Sequence, residues 1–223
     1  MTSFTLHIDQ TPFASPLGKI VCVGRNYAAH AAELNNPLPV EPLLFIKPAT
    51  AAVELAAPLL LPAGQGSVHH ELELAVLIAK PLRTADATAA LAAIGGIGLG
   101  IDLTLREVQD RLKRDSHPWE RAKAFDASYP VSAFMRPDGL DLQQLHIQLW
   151  RNGTLQQDGN TADMLFPVAA LIAEISRHFS LLPGDIVSTG TPAGVGPLQS
   201  GDTLRALLRN GDTVLLQIET RVQ

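Results

Sequence analysis

The stretch HHELELAVLIA, from His69 to Ala79, constrains the fold more than any other. It reads as a buried strand, yet it carries glutamates at two alternate positions. Side chains in a strand alternate between faces, so Glu71 and Glu73 stand on one face while Leu72 and Leu74 stand on the other. Two carboxylates side by side repel unless a positive charge lies between them, and a divalent cation meets that need. The competing reading is that period-two charges form the solvated face of an edge strand. A third anionic ligand would favour the ion. Asp102 is the candidate, because it ends the apolar run GIGLGIDLT, where an isolated charge is costly to bury. Three carboxylates without a cysteine favour the oxygen-loving Mg²⁺ or Mn²⁺ over Zn²⁺. His69 shares the face expected for the glutamates, which leaves a His/Glu/Glu zinc site formally open, although the helical H-E-x-x-H arrangement is missing.

Around that strand, short apolar segments are divided by Gly, Pro and Asn signals. KIVCVG and LLFIK read as strands. NYAAHAAEL between them reads as a short helix from about Tyr27 to Leu34, with Asn26 suited to capping and NNPLP closing it. His30 and Glu33 then lie one turn apart on a shared face, a spacing that a plain helix-surface pair would also show. TADATAALAAI reads as a helix capped by Thr84 or Asp86. Gly95, Gly96, Gly98 and Gly100 miss the G-x-G-x-x-G spacing and precede a strand continuation, so they indicate close backbone packing and not a dinucleotide site. After Asp102, TLRE has the form of a capping box, with Thr104 as N-cap and Glu107 at the third helical position, opening a helix through about Lys113. LHIQLWRNGTLQQ alternates and turns at Asn152-Gly153, a hairpin signal. PVAALIAEISRHF is an amphipathic helix with proline at its first turn. The expected architecture is a β-rich α+β fold in which a barrel or sandwich carries the site.

A chain of 223 residues suits one large domain. With 46% hydrophobic and 17% charged residues it should be globular. The net charge is −5, and the basic letters of RLKRD are offset by neighbouring acids, so nucleic acid is not an expected partner. One cysteine excludes an internal disulfide, and Cys22 in KIVCVG reads as a buried, inert thiol. The N-terminal MTSFTLHIDQ has neither a basic nor an apolar leader region, and no apolar run is long enough to span a bilayer. The default expectation is a cytoplasmic protein without membrane contact.

Taken together, CVGRNYAAHAAEL, PLLFIKPATA, HHELELAVLI, GIDLTLREVQ, PWERAKAFDASYPVSAF and GDIVSTGTPAGVGP stand in an order and spacing that resembles the fumarylacetoacetate hydrolase family, in particular its small acylpyruvase branch. The likeness runs from about Lys19 to the C-terminus, leaving 1–18 as a short N-terminal segment and 19–223 as a single catalytic domain. The resemblance implies mixed β-sheets rolled into a barrel-like core, a homodimer, and one Mg²⁺ or Mn²⁺ per subunit. It places Glu71, Glu73 and Asp102 on the metal ligands and His30 and Glu33 on the catalytic dyad of a short lid helix. Lys123, otherwise an ordinary solvated lysine, falls on the lysine beside the metal. Arg25, Gln109 and Thr191 fall on positions lining the substrate pocket, with the Thr191 hydroxyl and nearby amides placed for a substrate carboxylate. Two departures are Glu107, where many relatives carry aspartate, and the alanine-rich AAHAAEL in place of a more polar lid.

The activity this implies is C–C hydrolysis of an acylpyruvate to pyruvate and a carboxylic acid, with His30 activating water. Decarboxylation of oxaloacetate, and tautomerisation or isomerisation of a 2-oxo acid of hydroxymuconate type, would use the same site. A non-catalytic oxo-acid binding protein is the reading outside enzymology, and a general base is superfluous to it.

Overall fold

The computed structural model describes residues 4–223. Its centre is a mixed seven-stranded sheet whose strands, taken across it, are Leu43–Lys47, Ile20–Gly24, Ile186–Ser188, Leu72–Ile78, Ile94–Ile101, Tyr129–Val131 and Ala52–Glu54. Leu72–Ile78 lies in the middle, antiparallel to both neighbours, while Ile186–Ser188 runs parallel to Ile20–Gly24 and Tyr129–Val131 parallel to Ala52–Glu54. The sheet curls into a half-barrel, as expected of a β-rich α+β fold. A second, wholly antiparallel sheet of Thr154–Asn160, Leu145–Arg151, Thr203–Asn210 and Thr213–Arg221 packs beside it. The hairpin turn joining its first pair falls at Asn152 and Gly153, both with positive φ.

Every residue of Leu72–Ile78 is buried. Leu72, Leu74, Val76 and Ile78 enter one apolar core, and Ala75 and Leu77 enter a second on the opposite face. The edge-strand reading of the two glutamates is thereby overturned: a strand covered on both faces has no solvated side on which to display charge. The glycine run opposite is what makes room there. Gly96, Gly98 and Gly100 pair with Leu77, Ala75 and Glu73. A Cβ on Gly100 would sit 2.3 Å from the Tyr129 hydroxyl oxygen, and one on Gly96 would sit 2.9 Å from Phe134 Cβ. Without side chains at these positions, Tyr129 and Phe134 lie directly over the strand.

The second core also takes in Leu6, with Phe4, Ile8, Phe13 and Leu17 packed against it, so the described residues before Lys19 are part of the fold. The helix expected at 27–34 spans Ala28–Glu33. Asn26 does not cap it. Its amide donates instead to the carbonyls of Thr189 and Phe166, at 2.8 and 3.1 Å, which fastens the base of the helix to two distant loops. Asp86, not Thr84, caps Ala87–Ala92, through a 2.8 Å bond from the Ala89 amide. The capping box at Thr104 does not form: Thr104 belongs to a short strand, and Leu105 precedes the helix Arg106–Arg114 without a side-chain cap. Pro167 stands just before the helix Val168–His178.

Candidate active site

The strand Val68–His70 ends one residue before Leu72–Ile78 begins, and Glu71 occupies the joint. Glu73 follows on the central strand, and Asp102 leaves the end of Ile94–Ile101, where the Asp102 amide donates to the Glu71 carbonyl at 2.8 Å. These three buried carboxylates offer oxygen atoms that all lie within 4.8 Å of one another, a spacing that can hold a metal ion. His69 is not in the group. It pairs in a separate small sheet with Thr104 and Pro197, so the break at Glu71 removes it from the glutamates and with it the zinc alternative.

The acids have basic partners that come from elsewhere in the chain. Lys123 Nζ donates to Glu71 Oε2 at 2.8 Å, to Asp102 Oδ2 at 2.5 Å and to the Thr104 hydroxyl at 2.7 Å. It is a buried cation and not a solvated one. Arg106 donates to Glu71 Oε1 and, at 2.7 Å, to Gln109 Oε1. Lys47, fully buried, has Nζ 2.8 Å from Asp102 Oδ1, but its hydrogen bonds go to the carbonyls of Leu103, Lys123 and Ser128 and to the Ser128 hydroxyl. Asp102 Oδ1 is therefore a buried oxygen with a charge nearby and no hydrogen bond of its own. Neither Lys47 nor Arg106 was among the site residues expected from sequence, although the arginine stands inside GIDLTLREVQ.

Glu73 is treated differently. Its Oε2 accepts from the Ser188 hydroxyl at 2.5 Å and the Gly190 amide at 2.8 Å, and the Tyr129 hydroxyl supports Ser188 at 2.8 Å. Burial and the nearby Asp102 carboxylate push its pKa up to about 8. Burial also acts to raise Glu71, but Lys123 and Arg106 outweigh it and hold that carboxyl well below the usual range. A site with one carboxylate it cannot keep ionised and one oxygen without a donor is short of positive charge at a defined point, and a hard divalent cation fits that donor set.

The short helix covers this floor. His30 is buried and Glu33 partly exposed; His30 Nδ1–H donates to Glu33 Oε2 at 3.1 Å. The Gly194 amide donates to the other Glu33 oxygen at 3.0 Å. His30, the three acids, Arg25, Gln109, Lys123 and Thr191 all line one cavity of about 30 Å³. Arg25 does so with φ at 61°, a left-handed conformation that a bulky residue rarely adopts and that marks functional sites more often than others. The Thr191 hydroxyl is committed to the protein: it donates to the Leu72 carbonyl at 2.8 Å and accepts from Gln157 Nε2 at 2.7 Å. Gln157, buried in the second sheet, also accepts from the Leu72 amide at 2.9 Å, and nothing in the sequence around it marks that role. A larger, open hollow of about 780 Å³ beside the N-terminal segment has mostly apolar walls and one ionisable side chain, Asp126.

Three clustered carboxylates at the end of a curled mixed sheet, under a helix carrying a His/Glu pair, define a class of sites suited to divalent-metal chemistry. The chain belongs to the fumarylacetoacetate hydrolase family: the family model described as fumarylacetoacetate (FAA) hydrolase C-terminal matches residues 19–222. It is 51% identical over 191 residues to the oxaloacetate tautomerase YcgM of Escherichia coli, covering 85% of this chain and 87% of that one. A crystal structure from Oleispira antarctica, of a protein assigned provisionally to the fumarylacetoacetate isomerases and hydrolases, superposes with a TM-score of 0.97 at 53% identity, covering 99% and 100% of the two chains. The fumarylpyruvate hydrolase of Pseudomonas aeruginosa, solved with Mn²⁺ and pyruvate, superposes with a TM-score of 0.90 at 33% identity, covering 100% and 96%.

Proposed function

We propose that this protein is a Mg²⁺- or Mn²⁺-dependent enzyme that enolises small 2-oxo dicarboxylic acids, with keto–enol tautomerisation of oxaloacetate as its reaction. The observation that carries the reading is His30, bonded to Glu33 and opening on the same narrow cavity as Glu71, Glu73 and Asp102. The likeness to an oxaloacetate tautomerase supports it.

Glu71, Glu73 and Asp102 would hold the ion, which supplies a Lewis acid for the 2-oxo and carboxylate oxygens of a chelating substrate. Glu33 accepts from His30 Nδ1–H, and this fixes the imidazole tautomer so that the other ring nitrogen is the base. That nitrogen takes a proton from C3 of the keto acid. The same imidazolium returns a proton to the oxygen that becomes the enol hydroxyl. Lys123, already hydrogen-bonded to two acids, adds fixed positive charge to the cavity wall as the substrate's negative charge grows.

Hydrolysis of an acylpyruvate is the second reading, and the expectation from sequence puts it first. His30 would then take its proton from water instead of carbon. It is favoured by the likeness to a fumarylpyruvate hydrolase. Purified protein with Mg²⁺ or Mn²⁺ should be given enol-oxaloacetate, followed by its ultraviolet decay, and fumarylpyruvate, followed by pyruvate release. His30→Ala should slow the favoured reaction by about 10²–10⁴. Rapid ketonisation without fumarylpyruvate cleavage supports the first reading, the reverse supports the second, and neither reaction in metal-loaded protein overturns both.

A further inference from the structure

We infer that Lys113, with Arg25, forms the subsite for the far carboxylate of the substrate and so selects dicarboxylic over monocarboxylic 2-oxo acids. This rests on the oxo-acid reading above and adds which end of the substrate is recognised, and by what. Helix Arg106–Arg114 brings Arg106, Gln109 and Lys113 to one face, at spacings of three and four residues. All three line the cavity. Arg106 at one end of that face is bonded to Glu71, which anchors the row to the metal side. Lys113 stands seven residues on, about 10 Å along the axis. A lysine stem is long enough to lean back toward a C4 diacid chelated at the acids.

Charge makes the same case. Four lysine and arginine side chains line the cavity against three carboxylates, before any metal is counted. Lys123 and Arg106 are committed to those carboxylates. Arg25 and Lys113 are not: among the described residues neither lies within ion-pair distance of any acid, Asp110 on the same helix included. Lys113 is half-buried, with Nζ 5.5 Å from the centre of the Trp119 ring, which also lines the cavity. Burial and the neighbouring Arg106 and Arg25 charges together lower its pKa, the situation an incoming anion relieves. A monocarboxylic oxo acid fills the chelating end and leaves these two cations unanswered.

The test is calorimetric titration of Mn²⁺-loaded protein with oxaloacetate and with pyruvate, for wild type, Lys113→Met, Lys113→Arg and, as a charge control, the exposed Lys80→Met. Circular dichroism checks that each variant is folded. Lys113→Met should weaken oxaloacetate by about ten- to a hundredfold and pyruvate by less than about twofold. Lys113→Arg should recover most of the loss, and Lys80→Met should change neither. Equal weakening of both acids, or of neither, overturns the assignment while leaving the oxo-acid reading in place. Wild type that binds neither acid overturns the parent reading, and this one with it.

Discussion

The carboxylate cluster has two flanks, and they are built on opposite principles. On one, Glu71 and Asp102 meet three cations, Lys123, Arg106 and Lys47, and Glu71 is held ionised. On the other, Glu73 meets a hydroxyl and an amide, no cation, and holds its proton to about 8. Two glutamates two residues apart thus have opposed electrostatics. The difference shows where an ion belongs: the protein supplies its own cations on the lysine side, and on the serine side no cation is bonded to Glu73.

The largest effect should come from removing the internal compensation. Lys123→Met strands Glu71 and Asp102 as buried charges that have lost a shared donor, and breaking such a pair costs about 3–5 kcal/mol. Urea unfolding in EDTA measures this, and Mn²⁺ should restore part of the loss, because the ion replaces the missing charge. An unchanged midpoint would mean that the two flanks do not differ in the way described.

The next effect lies on the other flank. In the metal-free protein Glu73 keeps its proton to about 8, whereas the unfolded carboxyl releases it near 4.5. The folded state therefore binds the extra proton between those values, and stability falls as pH rises from about 4.5 to about 8. Thermal unfolding in EDTA should show a melting temperature lower at pH 8 than at pH 5 by on the order of 10 °C. Glu73→Gln should flatten that slope and also weaken Mn²⁺ binding and abolish turnover. A slope that survives the substitution would assign it to another group.

The smallest effect sharpens the comparison. Ser188→Ala removes one donor from Glu73, and the loss of one such bond is worth about 1 kcal/mol. Because that bond lowers the Glu73 pKa, its loss should shift the pH at which Mn²⁺ binding sets in upward, with affinity at pH 7 reduced roughly fivefold. Calorimetric titration across pH reads both. A downward shift would contradict the role given to the hydroxyl.

The acids were legible in the sequence because a charge inside an apolar run is anomalous wherever it occurs. The hairpin at Asn152-Gly153 and the packing role of the glycines were legible for a similar reason, since local chemistry decides them. The cations had no local signal: the family resemblance alone pointed to Lys123, and Arg106 and Lys47 were missed. Arg106 and Lys123 reach Glu71 across 35 and 52 residues of chain, and nothing about a lysine in RAKAF says it will be buried. Two capping expectations failed in the same manner. Asn26 and Thr104 have the right side chains for a helix start, but Thr189, Phe166 and Lys123 claim them first. Gln157 had no local signal at all, because its importance lies in what the Thr191 turn and Leu72 bring to it.

Cys22 is fully buried in the strand Ile20–Gly24, paired with Ser188 on one side and Phe45 on the other, and burial pushes its thiol far up in pKa. A thiol reagent has no route to it while those strands are joined. Alkylation of this one side chain then counts the moments at which the central sheet comes apart, the sheet on which Glu73 and Ser188 stand. A cation that binds the folded form alone makes those moments rarer in proportion to its concentration over its dissociation constant. The single cysteine is thus a built-in clock for site occupancy, readable by mass spectrometry without a substrate.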